Sequence, residues 1–374
     1  MVTPDKTVYK KISTKLVLIT ILAVLVAWLL SIFLAPPATV RLPIQPAPYP
    51  PGEYEISFDQ SSMIKLAPGS DNWAVTWADD NHQYAPWGDG GGFGGTNGKG
   101  RVSLGIGRIE GGANNYQGFN VWGGFNPEHS ADIDGKSYGL LAIDDMFYMW
   151  ISPSSGIDSF KEARLYTSSN RAETWTPLNW AFTDNEAIIS PTFLQFGKNY
   201  EGARDNFVYI YAPRLKDATA LTIQKPGQID LIRVPQQHIT DRSQYQFFAG
   251  TDEKGKPQWT QTFDQRLPVF EDINGVGWSV SVSYNPGLER YFLATEHSES
   301  MVGNIGIYDA PEPWGPWTAV AHEADLAGAG TTFFWNFSNK WLSKDGKDFV
   351  LIFTGVKESD AWGTIQGRFH KRQP

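Results

Sequence analysis

The sequence predicts an all-β fold, a five-bladed β-propeller preceded by a single N-terminal transmembrane helix. Three observations carry this expectation. The 374 residues include 15 Trp, 37 Gly and 24 Pro, and no stretch after residue 36 shows a clean helical period, so the chain reads as many short strands joined by turns. An apolar run, a polar turn and a second apolar run recur five times. Near the N-terminus, "LVLITILAVLVAWLLSIFLA" runs for 20 residues without a charge.

In chain order, residues 1–15 form a basic tail. Lys6, Lys10, Lys11 and Lys15 outweigh Asp5 to give +3, which leaves −12 for the rest of a chain whose total is −9. Residues 16–35 follow, and at about 1.5 Å per residue they span about 30 Å, the thickness of a bilayer core. Lysines precede the segment, so the positive-inside rule places the N-terminus in the cytoplasm and the body outside. An uncleaved anchor is favoured over a cleaved signal peptide. The apolar run exceeds the usual length of about 7–15 residues, and Phe33 stands where cleavage wants a small side chain. Residues 36–52, rich in proline, read as an extended spacer. Residues 53–374 form the body, the expected catalytic domain.

The chain contains no Cys, which excludes disulfides and thiolate metal sites. Its six His show no metal-ligand spacing. An acidic body argues against nucleic acid as a partner. No cofactor is expected; the acidic loops leave open a structural calcium ion.

Within the body the recurring hairpins are "WAVTWADDNHQYAPWG", "YGLLAIDDMFYMWIS", "ISPTFLQFGKNYEGARDNFVYIYAPR", "WSVSVSYNPGLERYFLATE" and "FWNFSNKWLSKDGKDFVLIFTG". Their runs are apolar on both faces, as strands packed between neighbouring blades require. "ARLYTSS", "IDLIRVP" and "NIGIYDAP" supply further strands, and "EYEISF" is placed to close the ring beside the last blade. "SSNRAETW" is a degenerate Asp-box turn, with Ala172 where Gly is usual.

The first hairpin carries the candidate chemistry. With Asp80-Asn81 as the turn, Asp79 opposes His82 and Trp73 opposes Gly88. Asp79-Asp80 recurs as Asp144-Asp145 in the second hairpin, which marks a turn role. Asp71 and Asp89 do not recur; Lys136 and Ser154 fall at comparable places. They emerge almost opposite each other at the far end of the hairpin, where a blade's inner strands open beside the central channel. Such a pair suits glycoside hydrolysis. Inverting enzymes separate their carboxyls by about 6.5–9.5 Å, retaining ones by about 5–5.5 Å, and the spacing leaves both open. "GDGGGFGG" would form a mobile lip over the site, and Pro86 costs the second strand a donor. Loop solvation or capping of backbone N–H groups stands as the alternative for both aspartates; which would be the acid is left open, with Asp89, on the lip, taken as the acid and Asp71 as the base.

Other candidates end corresponding strands or flank the pair. Asn72 adjoins Asp71. Arg214 would reach the face of Asp89, to bond sugar hydroxyls or hold a carboxylate ionised. Glu296 is a reserve acid and His297 a hydroxyl ligand. Trp73, Trp87 and Trp278 are candidate sugar-stacking rings, against the alternative that they belong to the core. Asp241 and Arg242 read as structural. Asn336-Phe337-Ser338 matches a glycosylation triplet but falls in a strand.

"SDNWAVTWADD", "WGDG", "DNFVYIYAPR", "IDLIRVPQQHITDRSQYQFFAG", "VGWSVSVSYNPGLERYFLATE", "YDAPEPWGPW" and "KWLSKDG" together resemble a bacterial propeller family formerly of unknown function. That family is associated with glycoside hydrolase family 183, the endo-D-arabinanases. The resemblance covers roughly residues 65–356 and implies five blades, a polysaccharide substrate such as a D-arabinan, and an acid–base pair at Asp71 and Asp89. Fold does not fix function. A non-catalytic glycan-binding propeller and a structural envelope protein stand as alternatives.

Overall fold

The computed structural model describes residues 46–153, 160–216, 222–355 and 360–373. The basic tail, the apolar segment 16–35 and residues 36–45 of the proline-rich stretch lie outside the described residues. Among the described residues no helix is long and apolar enough to cross a membrane. The fold is all-β and propeller-like, and among the described residues only short 3₁₀ turns accompany the strands.

After β1 (Tyr54–Leu66), the strands fall into consecutive antiparallel meanders. The first contains β2 (Thr76–Trp77), β3 (Gln83–Gly88), β4 (Leu104–Glu110) and β5 (Gln117–Trp122). The second contains β6 (Gly135–Ile143), β7 (Met146–Pro153), β8 (Glu162–Ser168) and β9 (Thr176–Thr183). The third contains β10 (Thr192–Gln195), β11 (Phe207–Pro213), β12 (Gly227–Pro235) and β13 (Gln246–Thr251), with β14 (Pro257–Thr260) and β15 (Pro268–Asp272) added. The fourth contains β16 (Val280–Asn285), β17 (Arg290–Glu296), β18 (Ile305–Ala310) and β19 (Thr318–Glu323). The fifth contains β20 (Phe333–Phe337), β21 (Asp348–Thr354) and β22 (Trp362–Lys371), and β1 completes it by pairing with β22 from Tyr54↔Lys371 to Leu66↔Trp362. Every hairpin read from the sequence is present, and "EYEISF" is the closing strand.

The inner strands are buried on both faces, as their apolar runs require. They stand side by side. β10 and β16 pair in parallel through Leu194↔Val282, which joins the third and fourth meanders into one sheet. Val75, Phe193, Val282 and Phe337, from four inner segments, line one enclosed space of about 10 Å³. A further buried apolar cluster joins Ala74, Tyr138, Phe160, Ile189, Leu215, Trp278, Phe333 and Phe334, and every meander contributes to it.

The turns confirm the roles of the repeated aspartates. Asp144 and Asp145, at φ 50° and 63°, form the two-residue β6–β7 turn. Asp79-Asp80-Asn81 is a three-residue turn rather than the expected two-residue one. The Ala78 N–H donates to His82 O, and Asn81 takes φ 67°. Asp80 accepts from the His82 N–H at 3.0 Å and the Tyr84 hydroxyl at 2.8 Å, while Arg171 grips Asp79. The ladder therefore pairs Thr76 with Tyr84 and lapses opposite Pro86, which has no N–H to give. It resumes with Asp71↔Gly88 in place of the expected Trp73↔Gly88.

Closure is cemented by aromatic rings. Trp362 of β22 is fully buried, with its ring centroid 5.2 Å from Trp73 and 5.7 Å from Phe93, and its Nε1 donates to the Tyr116 hydroxyl at 3.0 Å. Replacing Trp362 by Ala will cost about 3–5 kcal/mol of stability, read as a lowered urea midpoint at unchanged slope.

Candidate active site

β1 leads straight into the site. Beyond Leu66 the chain turns, the Gly69 N–H donates to Asp360 O at 2.8 Å, and Asp71 follows. Asp71 and Gly88 exchange both backbone hydrogen bonds, at 2.8 and 2.7 Å. A side chain on Gly88 would strike Asp71 Oδ1 and the stem of Lys136. The missing Cβ is thus what lets a carboxylate from the first meander and a lysine from β6 meet over one backbone position. Asp89, next in sequence, takes φ 53°, which breaks the strand's alternation. Its carboxylate is paired with Lys136 Nζ and, at 3.0 Å, with Arg101. Lys136 also donates to Ser103 O at 2.8 Å.

The two carboxyls are in unlike surroundings. Burial pushes the Asp71 carboxyl well above the usual carboxylate range; Asp89 and Asp360 add to the rise, and Lys136 and Arg101 oppose it. Burial also raises Asp360, and Asp89 adds to that rise. Asp89 holds two cations by direct ion pairs. Asn72, at φ 60°, donates from Nδ2 to Asp71 Oδ1 at 3.0 Å and from its peptide N–H to Thr354 Oγ1 at 2.9 Å.

Two hollows flank this group. One, of about 490 Å³, is lined by Asp89, Arg101, Ser103, Asp132 and Asp134. The other, of about 600 Å³, is lined by Asn97, Met301, Phe333 and Asp360. Arg101 Nη1 reaches Asn97, so the two adjoin at that contact. Among the described residues no group of three or more His, Asp or Glu is placed to hold a metal ion.

Several sequence expectations change here. Trp73, Trp87 and Trp278 are 0%, 0% and 1% exposed, so none offers a face to a sugar; Trp87 stacks at 5.7 Å on Trp73, and Trp278 lies 5.6 Å from Phe333. Arg214 does not serve the pair. Its Nε donates to Asp230 at 3.1 Å, and the buried Asp230 also binds Arg266 at 2.8 Å. His297 is fully buried, stacked on His322 at 3.7 Å and bonded to Ile305 O, and burial pushes it down to about 3. Glu296 is fully buried as well, accepts from the Met301 N–H at 2.6 Å, and is pushed up to about 8 by burial. It supports the loop that carries Met301 to the second hollow. The glycine-rich lip is a packed loop and not a mobile one: Phe93 inserts among Trp73 and Trp362, and Asn120 bonds to Gly91, Phe93 and Phe125.

Lys136, Arg101, Tyr138 and Asp360 were not singled out from the sequence as site residues. The comparison of hairpins had placed Lys136 level with the aspartates, and that was the available signal. Arg242 and Asp241 are structural, as expected: Arg242 pairs with Glu186, and Asp241 accepts from the Ser243 N–H. Asn336 is buried in β20.

Residues 139–352 match the domain of unknown function DUF4185. The chain belongs to the DUF4185 family. The matched span begins downstream of Asp71 and Asp89, so the pair rests on geometry and on the resemblance stated above. No curated protein matches this DUF4185 chain. Among solved structures, it is similar to a Bacteroides ovatus protein provisionally named a hydrolase, at 11% identity over 89% of this chain and 97% of that one, with a TM-score of 0.53. It is also similar to the β-xylosidase RS223 (11% identity, 83% and 96% covered, TM-score 0.49) and to an endo-arabinase from Bacteroides thetaiotaomicron (11% identity, 83% and 96% covered, TM-score 0.47). The first of these likenesses shows the fold.

Glu296 gives a test of the loop's support. A carboxyl raised in the folded state from 4.5 to about 8 contributes stability that is complete below pH 4.5 and is lost as pH rises towards 8. Wild-type stability will fall across that window, and Glu296→Gln will flatten the fall, measured by urea unfolding at pH 5 and pH 8.

Proposed function

We propose that the protein is a glycoside hydrolase that cleaves an extracytoplasmic furanose polysaccharide, a D-arabinan, with Asp71 and Asp89 as its acid–base pair. The observation that carries this reading is the unlike surroundings of two carboxyls, one on Asp71 and one on the residue that follows its partner Gly88. Asp71 is driven towards its protonated form by burial, and Asp89 is paired with Lys136 and Arg101. Glycoside hydrolysis requires one carboxylic acid and one carboxylate. The reading takes Asp71 as the acid and Asp89 as the base, the reverse of the assignment made from the lip position alone.

In the inverting form, the Asp71 carboxyl gives its proton to the leaving glycosidic oxygen. Asp89 takes a proton from the water that attacks the anomeric carbon from the opposite face. Asn72 Nδ2 keeps the Asp71 carboxyl oriented. One hollow is lined by Asp89 and the adjoining one by Gly69 and Asp360, and together they offer room for a chain that continues beyond the cleaved bond. The propeller-like fold, shared with the Bacteroides ovatus hydrolase, and the sequence resemblance to endo-D-arabinanases support the same class. We read each meander as one blade of a five-bladed propeller. We read residues 16–35 as the anchor that holds the body on the outer side of a membrane.

The test is hydrolysis of D-arabinan, with other furanose and pyranose polymers alongside, by the purified full-length protein. Asp71→Asn and Asp89→Asn will each lower kcat/KM by about 10²–10⁴-fold while leaving polymer binding in place. Binding without release by wild type would instead identify a glycan-binding propeller, and absence of both a structural envelope protein.

A further inference from the structure

Tyr138 is the one residue of the buried apolar cluster shared by all the meanders that carries a hydroxyl. It is 2% exposed, and that hydroxyl has no hydrogen-bond partner among the described residues. A buried unpaired hydroxyl is costly, and retention of one calls for an explanation. Phe would fill the same space at no such cost. Position supplies the explanation. β6 pairs Ser137 with Ile151 and Gly139 with Trp150, so Tyr138 is the extra residue of a β-bulge. Bulges re-aim a side chain and concentrate beside active sites. Lys136, two residues earlier on the same strand, touches Asp89 and packs over Gly88. Burial first, and then the charges of Asp71 and Asp89, push the Tyr138 hydroxyl up, and Gly88 brings the Asp71 carboxyl and the Lys136 stem together over one backbone position beside this strand.

We propose that Tyr138 is a positioning residue for Asp71: its hydroxyl is a hydrogen-bond donor held in reserve for the carboxylate that Asp71 becomes after giving up its proton. The proposal rests on the acid role of Asp71 given above. In the resting protein Asp71 holds its proton and Asn72 Nδ2 supplies one donor. When the proton leaves for the glycosidic oxygen, a full negative charge is left on a carboxyl where burial disfavours charge. A second donor then stabilises that charge as it develops. Among the described residues the hydroxyl has no partner at rest, as the proposal requires of a group whose partner is the ionised form. The other charged groups acting on Asp71 are Lys136, Asp89, Asp360 and Arg101, and all are retained when Tyr138 is changed.

Tyr138→Phe removes only the hydroxyl, and no resting hydrogen bond goes with it. The experiment titrates the carboxyl carbon of Asp71 by NMR in full-length wild type and in Tyr138→Phe, and measures Tm and the pH dependence of kcat/KM on D-arabinan for both. The expected result is an Asp71 midpoint moved upward in the variant, with Tm unchanged or raised. The alkaline limb of the kcat/KM profile moves in the same direction, and kcat/KM at pH 7 falls about tenfold, the loss of one hydrogen bond to a charge. An unchanged Asp71 midpoint would overturn the proposal, as would an equal loss of Tm and activity. If wild type cleaves no polymer, the reading of the reaction fails, and the NMR titration still decides whether Tyr138 serves Asp71.

Discussion

Ring closure is the constraint on which the rest of the molecule depends. A meander with an open edge exposes a row of unpaired backbone groups, and β22 would present such an edge if β1 did not cover it. The covering strand comes from the start of the body and ends at Leu66, paired with Trp362. Five residues later the same chain supplies Asp71. The candidate site therefore lies at the seam where the first and last meanders are locked together. Thr354 and Asp360 from the last meander hold the backbone of Asn72 and Gly69 in place. The rings of Trp73, Phe93 and Trp362 make that seam rigid, since each packs on the other two. A seam this stiff can hold two carboxyls at a fixed relation, which acid–base chemistry demands.

Charge is divided at the seam by where the cations come from. Arg101 belongs to the loop that follows Asp89, and Lys136 crosses from the second meander; both form ion pairs with Asp89. Asp71 receives an amide from Asn72 instead, and its carboxyl is desolvated. Desolvation disfavours a charge, and a paired cation favours it. Burial thus drives Asp71 towards its protonated form, while Asp89 is held in two ion pairs. Gly88 makes the division possible, because any larger residue would push the Asp71 carboxyl and the Lys136 stem apart.

Much of the fold was legible because period and turn chemistry are local. All five hairpins, the closing strand and the turn roles of Asp79-Asp80 and Asp144-Asp145 follow from apolar runs and from the residues between them. The register of the first hairpin was not legible, since Asn81 in the left-handed region adds a residue to the turn and Pro86 opens a gap in the ladder. The aspartates that break the repeat were legible as candidates, but their surroundings were not. Lys136 reaches Asp89 across 47 positions, and Asp360 acts on Asp71 from the far end of the chain. Arg214 shows the converse error. Its place at a strand end suggested the mouth, yet Asp230, sixteen residues on and buried, claims it. Partners in space decide which strand-end charges are free, and a single sequence does not contain them.

The fate of the tryptophans bears on how a substrate would be recognised. Trp73, Trp87, Trp278 and Trp362 are all fully buried near the site, and they build its floor rather than its surface. One of the two hollows is mostly polar, with Asp89, Arg101, Ser103, Asp132 and Asp134, and the other mostly apolar, with Met301 and Phe333. Flat aromatic platforms suit the flat faces of pyranose rings. A surface of carboxylates, a guanidinium and hydroxyls recognises a sugar through its oxygens, which places specificity in hydrogen-bond geometry instead of stacking. Under the proposed reading, a puckered furanose, which offers no broad flat face, would be held there through its hydroxyls.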